Sequence, residues 1–513
     1  MKNKLKKITS LIIAACISLT IGVGCTGDDS SSKDSSSSMD GNKKAELLDY
    51  ESYKKTNKLM TSVWDFPELT YDSDAAEGSR LDCDKNDKIA KDMVNAGVDI
   101  VNITGLGTNA AYTSWQITNF SREKTITILK EIINFFNKYG IKTVLNSHNH
   151  GNNNSTGLIN DFTDEFSFKD GFPDFSACDG FYGMIVWDEP SVSQYKKISQ
   201  FAESFDSKYN GSNAMIMANL LPAYGQAGWG VDTYDEYIDN YGETVLSKVN
   251  NTQRYISVDT YPVRADGGFG TTFLTDIARF KVAGLKFDAM THICLQSTAT
   301  AWDADTQSFN LRTPNREELG IQIYSALALG ADSISWYTYV DPQENEPLGM
   351  KTAPVDFKTG ERNEENYNNF KSINDEIGTF DYALKCFTWK GFLVNATSAL
   401  LYPLANTQYT KNYYISDASK TKTLTSISAG KTPYIMGQMV DSNGNEGFMI
   451  ANYTIPNTAK DGDTYKMTLN FKSGINRMII WQNGEKSIVS VTGGSYELEL
   501  KVGGGAFVIP YAE

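Results

Sequence analysis

The sequence lacks a cysteine framework, a basic run in its body and an apolar run long enough to span a bilayer. Six cysteines are spread over 513 residues with no CxxC pair. Cys83, Cys178, Cys294 and Cys386 follow no framework spacing, so they read as buried thiols and not as a disulfide scaffold. The net charge is −15, and an acidic chain without a basic patch argues against nucleic acid or anionic lipid as a partner. The longest apolar stretch, Ile8 to Gly24, is too short for a permanent transmembrane helix. Asp82-x-Asp84-x-Asn86 begins like a calcium loop, but Asp87 and Met93 stand where glycine and glutamate are required. No metal ligand set is assembled, and no cofactor is expected.

What is present begins with export. Lys2, Lys4, Lys6 and Lys7 precede the apolar stretch, which ends in small residues, as in a cleaved signal peptide over residues 1–24. Ile21-Gly22-Val23-Gly24-Cys25 resembles a bacterial lipoprotein signal, which implies lipidation of Cys25 and a protein held at the outside of a cell membrane. Loss of residues 1–24 removes four lysines and no acids, taking the net charge from −15 to −19. Residues 25–45, rich in Ser and Asp, read as a disordered tether.

The remaining length suggests two domains. Residues 46–385 alternate short apolar runs with helical patterns, which predicts a (β/α)₈ barrel. Its expected strands are 61–66, 98–104, 142–147, 183–187, 213–220, 254–258, 291–296 and 333–339. Residues 84–97 predict a helix, and Ser121 caps another whose apolar face carries Ile126, Leu129, Ile132, Ile133 and Phe136. Residues 386–513 change to short strands punctuated by Asn443-Gly444, Asn483-Gly484 and Gly493-Gly494, which predicts an all-β sandwich. Aromatic residues make up 12% of the chain, a richness that suits sugar stacking and ordinary cores alike.

The chain is organised around Gly183-Met184-Ile185-Val186-Trp187-Asp188-Glu189-Pro190. A buried strand runs here into two adjacent carboxylates and a proline where the next helix begins. In a (β/α)₈ barrel that strand end belongs to the catalytic face. The competing reading makes the acid a helix N-cap stabilised by the helix dipole, which would lower a carboxyl pKa and disqualify it as an acid.

Further stretches carry a family likeness: Ser257-Val258-Asp259-Thr260-Tyr261-Pro262, the helix from Glu318 to Gly330, Ser335-Trp336-Tyr337-Thr338-Tyr339, and Asn445 to Tyr453 with Gly503 to Pro510. With Trp187-Asp188-Glu189-Pro190, these resemble bacterial glycoside hydrolases of the β-galactosidase-like, clan A type, similar to family 42. The resemblance implies a glycosidase barrel with Glu189 as proton-donating acid on the fourth strand. It also implies a nucleophilic glutamate on the seventh, and there the sequence departs: Gln296 occupies that place and cannot act as a nucleophile. Asp259, at the end of the sixth strand, is the leading second carboxylate, with Asp188 and Asp303 behind it. A carboxylate bonded to turn backbone before Pro262 is the alternative for Asp259, and orienting Glu189 or capping is the alternative for Asp188.

Among the rim residues, His148 and His150 share one side of the third strand's end. They suit hydroxyl binding or packing better than a metal site, which would need further ligands. His292, inside an apolar strand, reads as structural. Trp64, Trp187, Tyr261, Trp336 and Tyr339 are candidate stacking platforms or barrel packing. Asn219 and Gln296 are candidates for hydroxyl recognition. Two functions of different class follow: a surface-anchored glycoside hydrolase, or a glycan-binding lipoprotein that kept the cleft and lost the nucleophile.

Overall fold

The computed structural model describes residues 46–103, 122–146, 173–303, 308–341, 352–395, 401–407, 409–456 and 463–513. Seven parallel strands come first: β1 (Thr61–Trp64), β2 (Ile100–Ile103), β3 (Lys142–Asn146), β4 (Phe181–Asp188), β5 (Met215–Leu220), β6 (Gln253–Asp259) and β7 (Met290–Gln296). A hairpin of β8 (Thr300–Asp303) and β9 (Ser308–Leu311) precedes β10 (Ser333–Tyr337), which pairs with both β7 and β1 and closes the barrel. All eight barrel strands fall where hydrophobic patterning places them.

Helices α1 (Asp84–Asn95), α2 (Arg122–Lys138), α3 (Tyr195–Lys208), α4 (Gln226–Trp229), α5 (Tyr234–Thr244), α6 (Phe273–Phe287), α7 (Arg316–Ala328) and α8 (Glu364–Gly378) follow in chain order. Alternation along each strand divides its side chains between two cores. Ile100, Val144, Ile185, Met215, Met217 and Cys294 fill the barrel interior. Their strand neighbours pack outward with helix residues such as Ile132, Ile277 and Ile323. No helix among the described residues is long and apolar enough to cross a membrane.

The C-terminal region is an antiparallel β-sandwich. Its strands are β11 (Phe387–Val394), β12 (Leu424–Ser428), β13 (Tyr434–Asp441), β14 (Glu446–Asn452), β15 (Thr464–Phe471), β16 (Arg477–Gln482), β17 (Glu485–Ser490), β18 (Ser495–Lys501) and β19 (Gly505–Tyr511). Six form one sheet in the order β11-β13-β14-β19-β16-β17, and β12-β15-β18 form the other. The larger sheet has no wet face over its centre. Met436, Phe448, Ile450, Ile480 and Val508 meet the smaller sheet's Met467, Leu469, Leu498 and Leu500. The alternate residues Ile435, Met449, Ile479, Trp481 and Phe507 join the core that surrounds the barrel.

Helix α7 is the seam, and its sequence is apolar nearly all round because both sides are covered. Residues 318–328 are all buried. Asn315 caps it, accepting from the Glu318 amide at 2.9 Å while Glu318 accepts from the Asn315 amide at 3.0 Å. Glycines allow the close approach: a Cβ on Gly437 would stand 2.1 Å from the Ala328 carbonyl oxygen, and one on Gly320 would stand 2.0 Å from that of Gly503.

We therefore expect Gly437→Ala to cost about 2 kcal/mol, as overpacking against fixed backbone does. Urea unfolding followed by tryptophan fluorescence and far-ultraviolet dichroism should show a lower midpoint. Coincident curves for the two probes would show barrel and sandwich unfolding together; separate transitions would contradict the shared core.

Candidate active site

The fourth strand carries an irregularity just before its acids. Between Ile185 and Trp187 the pairing with β5 shifts, leaving Val186 as an extra residue. Such a bulge re-aims the side chains that follow it. Val186 and Trp187 both pack against the core outside the barrel, so Trp187 is a packing residue and not a cleft platform. Asp188 then pairs with Asn219. The Asn219 Nδ2 donates to Asp188 at 2.9 Å, and the Ser257 hydroxyl donates to the Asn219 Oδ1 at 2.8 Å. This buried relay ties the ends of β4, β5 and β6 together. Asn219 is thus a positioning residue.

Glu189 adopts a left-handed backbone, φ 49°, which an L-residue enters only when its surroundings compel it. Its amide donates to the Asn219 carbonyl at 2.8 Å, and the Tyr237 hydroxyl donates to the Pro190 carbonyl at 2.6 Å. The helical start beyond is served by Ser191, whose amide donates to the Gln194 side chain at 2.7 Å. The capping role falls to Ser191–Gln194, and the Glu189 carboxyl is left for the barrel mouth.

There it meets Asp259. Glu189 is exposed to solvent on one side and crowded by the rim on the other, whereas Asp259 is buried. Desolvation first, then the charge of Asp188, pushes Glu189 up to about 7, and a hydrogen bond with Asp259 pulls the other way. Burial, followed by the charges of Glu189 and Asp188, holds Asp259 well above the carboxylate range. Among the described residues, burial and neighbouring negative charge are the leading influences on both acids. Two acids that oppose each other's ionisation share a proton and titrate as a unit. The more deeply buried partner is penalised more for ionising, so the proton rests on Asp259 and is offered to Glu189. Of the Asp259 carboxyl, Oδ1 has no hydrogen-bond partner, while the residue's own backbone amide favours the ionised form.

Beside the pair lies a row of rings. Tyr261 stacks on Tyr337 with centroids 5.4 Å apart, and Tyr337 meets Trp64 edge-on at 6.2 Å. Trp64 and Tyr261 take the interior position expected of them. Trp336 and Tyr339 do not: both are fully buried, each edge-on to Phe370 of α8 at 5.8 Å. The inward residue of the eighth strand is Tyr337, one position along, a choice of strand face that composition alone does not make.

Gln296 is likewise not free for hydroxyl recognition. Its Oε1 accepts from the Val263 amide at 2.8 Å, and its Nε2 donates to the carbonyls of Arg312 (2.7 Å), Thr298 (3.2 Å) and Val263 (3.3 Å). His292 lies at the far end of β7, bonded through Nδ1 to Ser333 at 2.7 Å and held neutral by burial, as a structural residue. Asp303 ends β8 in the hairpin. His148, His150 and Cys25 lie outside the described residues. Among those described, no cluster of His, Cys, Asp or Glu is arranged to hold a metal ion.

One rim acid escaped the sequence reading. Asp65 ends β1 with φ 61°, and burial pushes its carboxyl up to about 7. The signal was present, since Trp64-Asp65-Phe66-Pro67 repeats the Trp-Asp-x-Pro pattern of Trp187-Asp188-Glu189-Pro190.

No family model and no curated protein matches the chain. Solved structures with a similar fold include a family 30 endoxylanase from Clostridium papyrosolvens, with a TM-score of 0.40, 10% identity, and coverage of 89% of this chain and 98% of that one. A family 5 glycoside hydrolase from Bacteroides vulgatus gives a TM-score of 0.41 and 9% identity, covering 89% of each chain. A family 5 mannosidase from Rhizomucor miehei gives 0.40 and 12%, covering 64% of this chain and 95% of that one.

The raised Glu189 pKa has a stability consequence. The folded state keeps this proton up to about pH 7 while the unfolded chain releases it near 4.5. The penalty is therefore absent below about pH 4.5 and complete above about pH 7. Glu189→Gln should be more stable than the native protein by about 1 kcal/mol at pH 8, after allowance for solvent screening at this open position. At pH 4.5 the two should unfold at the same urea concentration. A pH-independent difference would contradict the shared-proton arrangement.

Proposed function

We propose that this protein is a glycoside hydrolase in which Glu189 is the acid/base group that meets the glycosidic oxygen and Asp259 is the buried carboxyl that supplies its proton. The observation that carries this reading is the Glu189–Asp259 pair at the ends of β4 and β6, one strand apart, each carboxyl raised by burial and by the other acids beside it. A group poised near neutrality is what proton transfer to a leaving oxygen requires, and the ring row from Trp64 to Tyr261 offers apolar faces for sugars. The sequence likeness to clan A barrels points the same way.

Glycosidase carboxyls stand about 5–5.5 Å apart for retention and roughly 6.5–9.5 Å for inversion. The ends of β4 and β6 stand one strand apart, which admits either spacing. Gln296, committed to backbone, favours a second reading: a barrel that binds glycans without cleaving them.

Reducing-sugar release from xylan, mannan, arabinogalactan and mixed-linkage β-glucan separates the two. For an enzyme, Glu189→Gln and Asp259→Asn should each lower kcat by about 10²–10⁴-fold, the usual contribution of a positioned proton donor. A native protein inert on every glycan yet retained on an immobilised one would establish the binder.

We also propose that the chain is a bacterial lipoprotein anchored outside the cell membrane through Cys25, supported by residues 21–25 and the polar tether that follows. Radiolabelled palmitate should enter the native protein and not Cys25→Ser, which should appear in the soluble fraction. Equal labelling of both would refute the anchor.

A further inference from the structure

A cavity of about 310 Å³ opens next to the acid pair, between the β5 and β6 ends and strand β9. It lies at the lower end of the range for small-molecule sites, about 300–1,000 Å³. Tyr224, Tyr261, Thr260, Arg264 and Asn310 are among the residues that line it. None except Tyr261 figures in the chemistry above.

Three features make it a built recess. First, Tyr224 is 57% exposed, one of the few large aromatic or aliphatic side chains so open to solvent among the described residues. Its hydroxyl end lies by the Tyr261 backbone, which places the ring at the cavity edge. Secondly, the wall opposite is pinned at several points. The Ala265 amide donates to the Asn310 carbonyl at 2.9 Å, the Gly270 amide donates to the Pro262 carbonyl at 2.7 Å, and the Gln296 side chain grips Val263 from both its amide and its carbonyl. Thirdly, Tyr224 lies within electrostatic reach of Asp259, Asp276 and Glu189. The one cation among the described lining residues, Arg264, has its own carboxylate neighbour in Asp266 at 3.6 Å.

An exposed ring beside a rigid, hydroxyl- and amide-lined recess suits the apolar face of a sugar. The charge balance selects among sugars. With Arg264 met by Asp266, the described lining offers a uronate or sulfated residue no unmatched cation, and a neutral ring needs none. We propose that this cavity is a subsite that holds one neutral sugar ring of the substrate beside the Glu189–Asp259 pair, with Tyr224 as its stacking face and Asn310 and Thr260 as hydroxyl partners. The proposal rests on the glycoside-hydrolase reading for its substrate class, but its test does not require turnover.

The Glu189→Gln protein, titrated with the methyl glycosides of glucose, galactose, mannose and xylose and with methyl glucuronide, supplies that test. Saturation-transfer NMR and calorimetry should find a neutral glycoside bound, and the glucuronide bound more weakly. Adding Tyr224→Ala should weaken the neutral glycoside by about tenfold, whereas Tyr224→Phe should stay within about twofold, since the ring and not the hydroxyl carries the contact. Because Tyr224 is exposed, the variants should keep the parent urea midpoint.

Preference for the glucuronide, no binding of any glycoside, or equal binding by Tyr224→Ala would overturn the subsite. Binding through Tyr224 in a native protein that cleaves nothing would refute the enzyme reading and leave the subsite standing. Cleavage whose KM ignores Tyr224→Ala would do the reverse.

Discussion

Two acids pressed together, each raising the other's cost of ionising, are an expensive arrangement, and much of the barrel mouth is organised to enforce it. Left to themselves, Glu189 and Asp259 would separate into water. They stay in contact because each is fixed by its own strand, and the strands are cross-tied by Asn219. The Val186 bulge, the left-handed backbone at Glu189 and the Tyr237 grip on Pro190 all act on the same few atoms. Each is locally unfavourable or restrictive. Their shared effect is to hold a protonated carboxyl against an ionisable one in a partly dry setting.

Rigidity of this kind has to come from outside the mouth. The helix α7 sits between barrel and sandwich with both sides covered, and it reaches back to the site: its Gln322 exchanges hydrogen bonds with the Gln296 backbone at 2.9 and 3.1 Å. Arg312 and Glu318 add a paired ionic contact at the helix start. The sandwich thus braces the C-terminal strand ends through one buried helix.

How much of this was legible in the sequence depends on which physical rule decides each residue. Strand positions were legible because buried parallel strands are continuous apolar runs between helical patterns. The placement of Glu189 at a strand end followed from the same runs. Facing was not legible at β10, where Trp336 and Tyr337 differ by one position and only pairing register says which turns inward. The Trp187 orientation depended on a bulge, which leaves no trace in composition. Two sandwich strands, β12 and β18, also went unread. Both bury few residues: in Leu424–Ser428 only Leu424 is fully buried, and in Ser495–Lys501 only Leu498 and Leu500 are, so both stretches look like polar surface. The proton's preference for Asp259 over Glu189 depends on relative depth, a property of the assembled rim alone.

Gln296 shows how a main chain can dictate the chemistry of a side chain. Its amide nitrogen points at three carbonyl oxygens, and a carboxylate placed there would face those dipoles with nothing to donate. A glutamate at this position would therefore be held away from use by its own surroundings, and would unfasten the loop that walls the neighbouring recess. Val263 and Arg312 lean on an uncharged amide, so the strand end can carry a fastener there or a reactive acid, and not both at once.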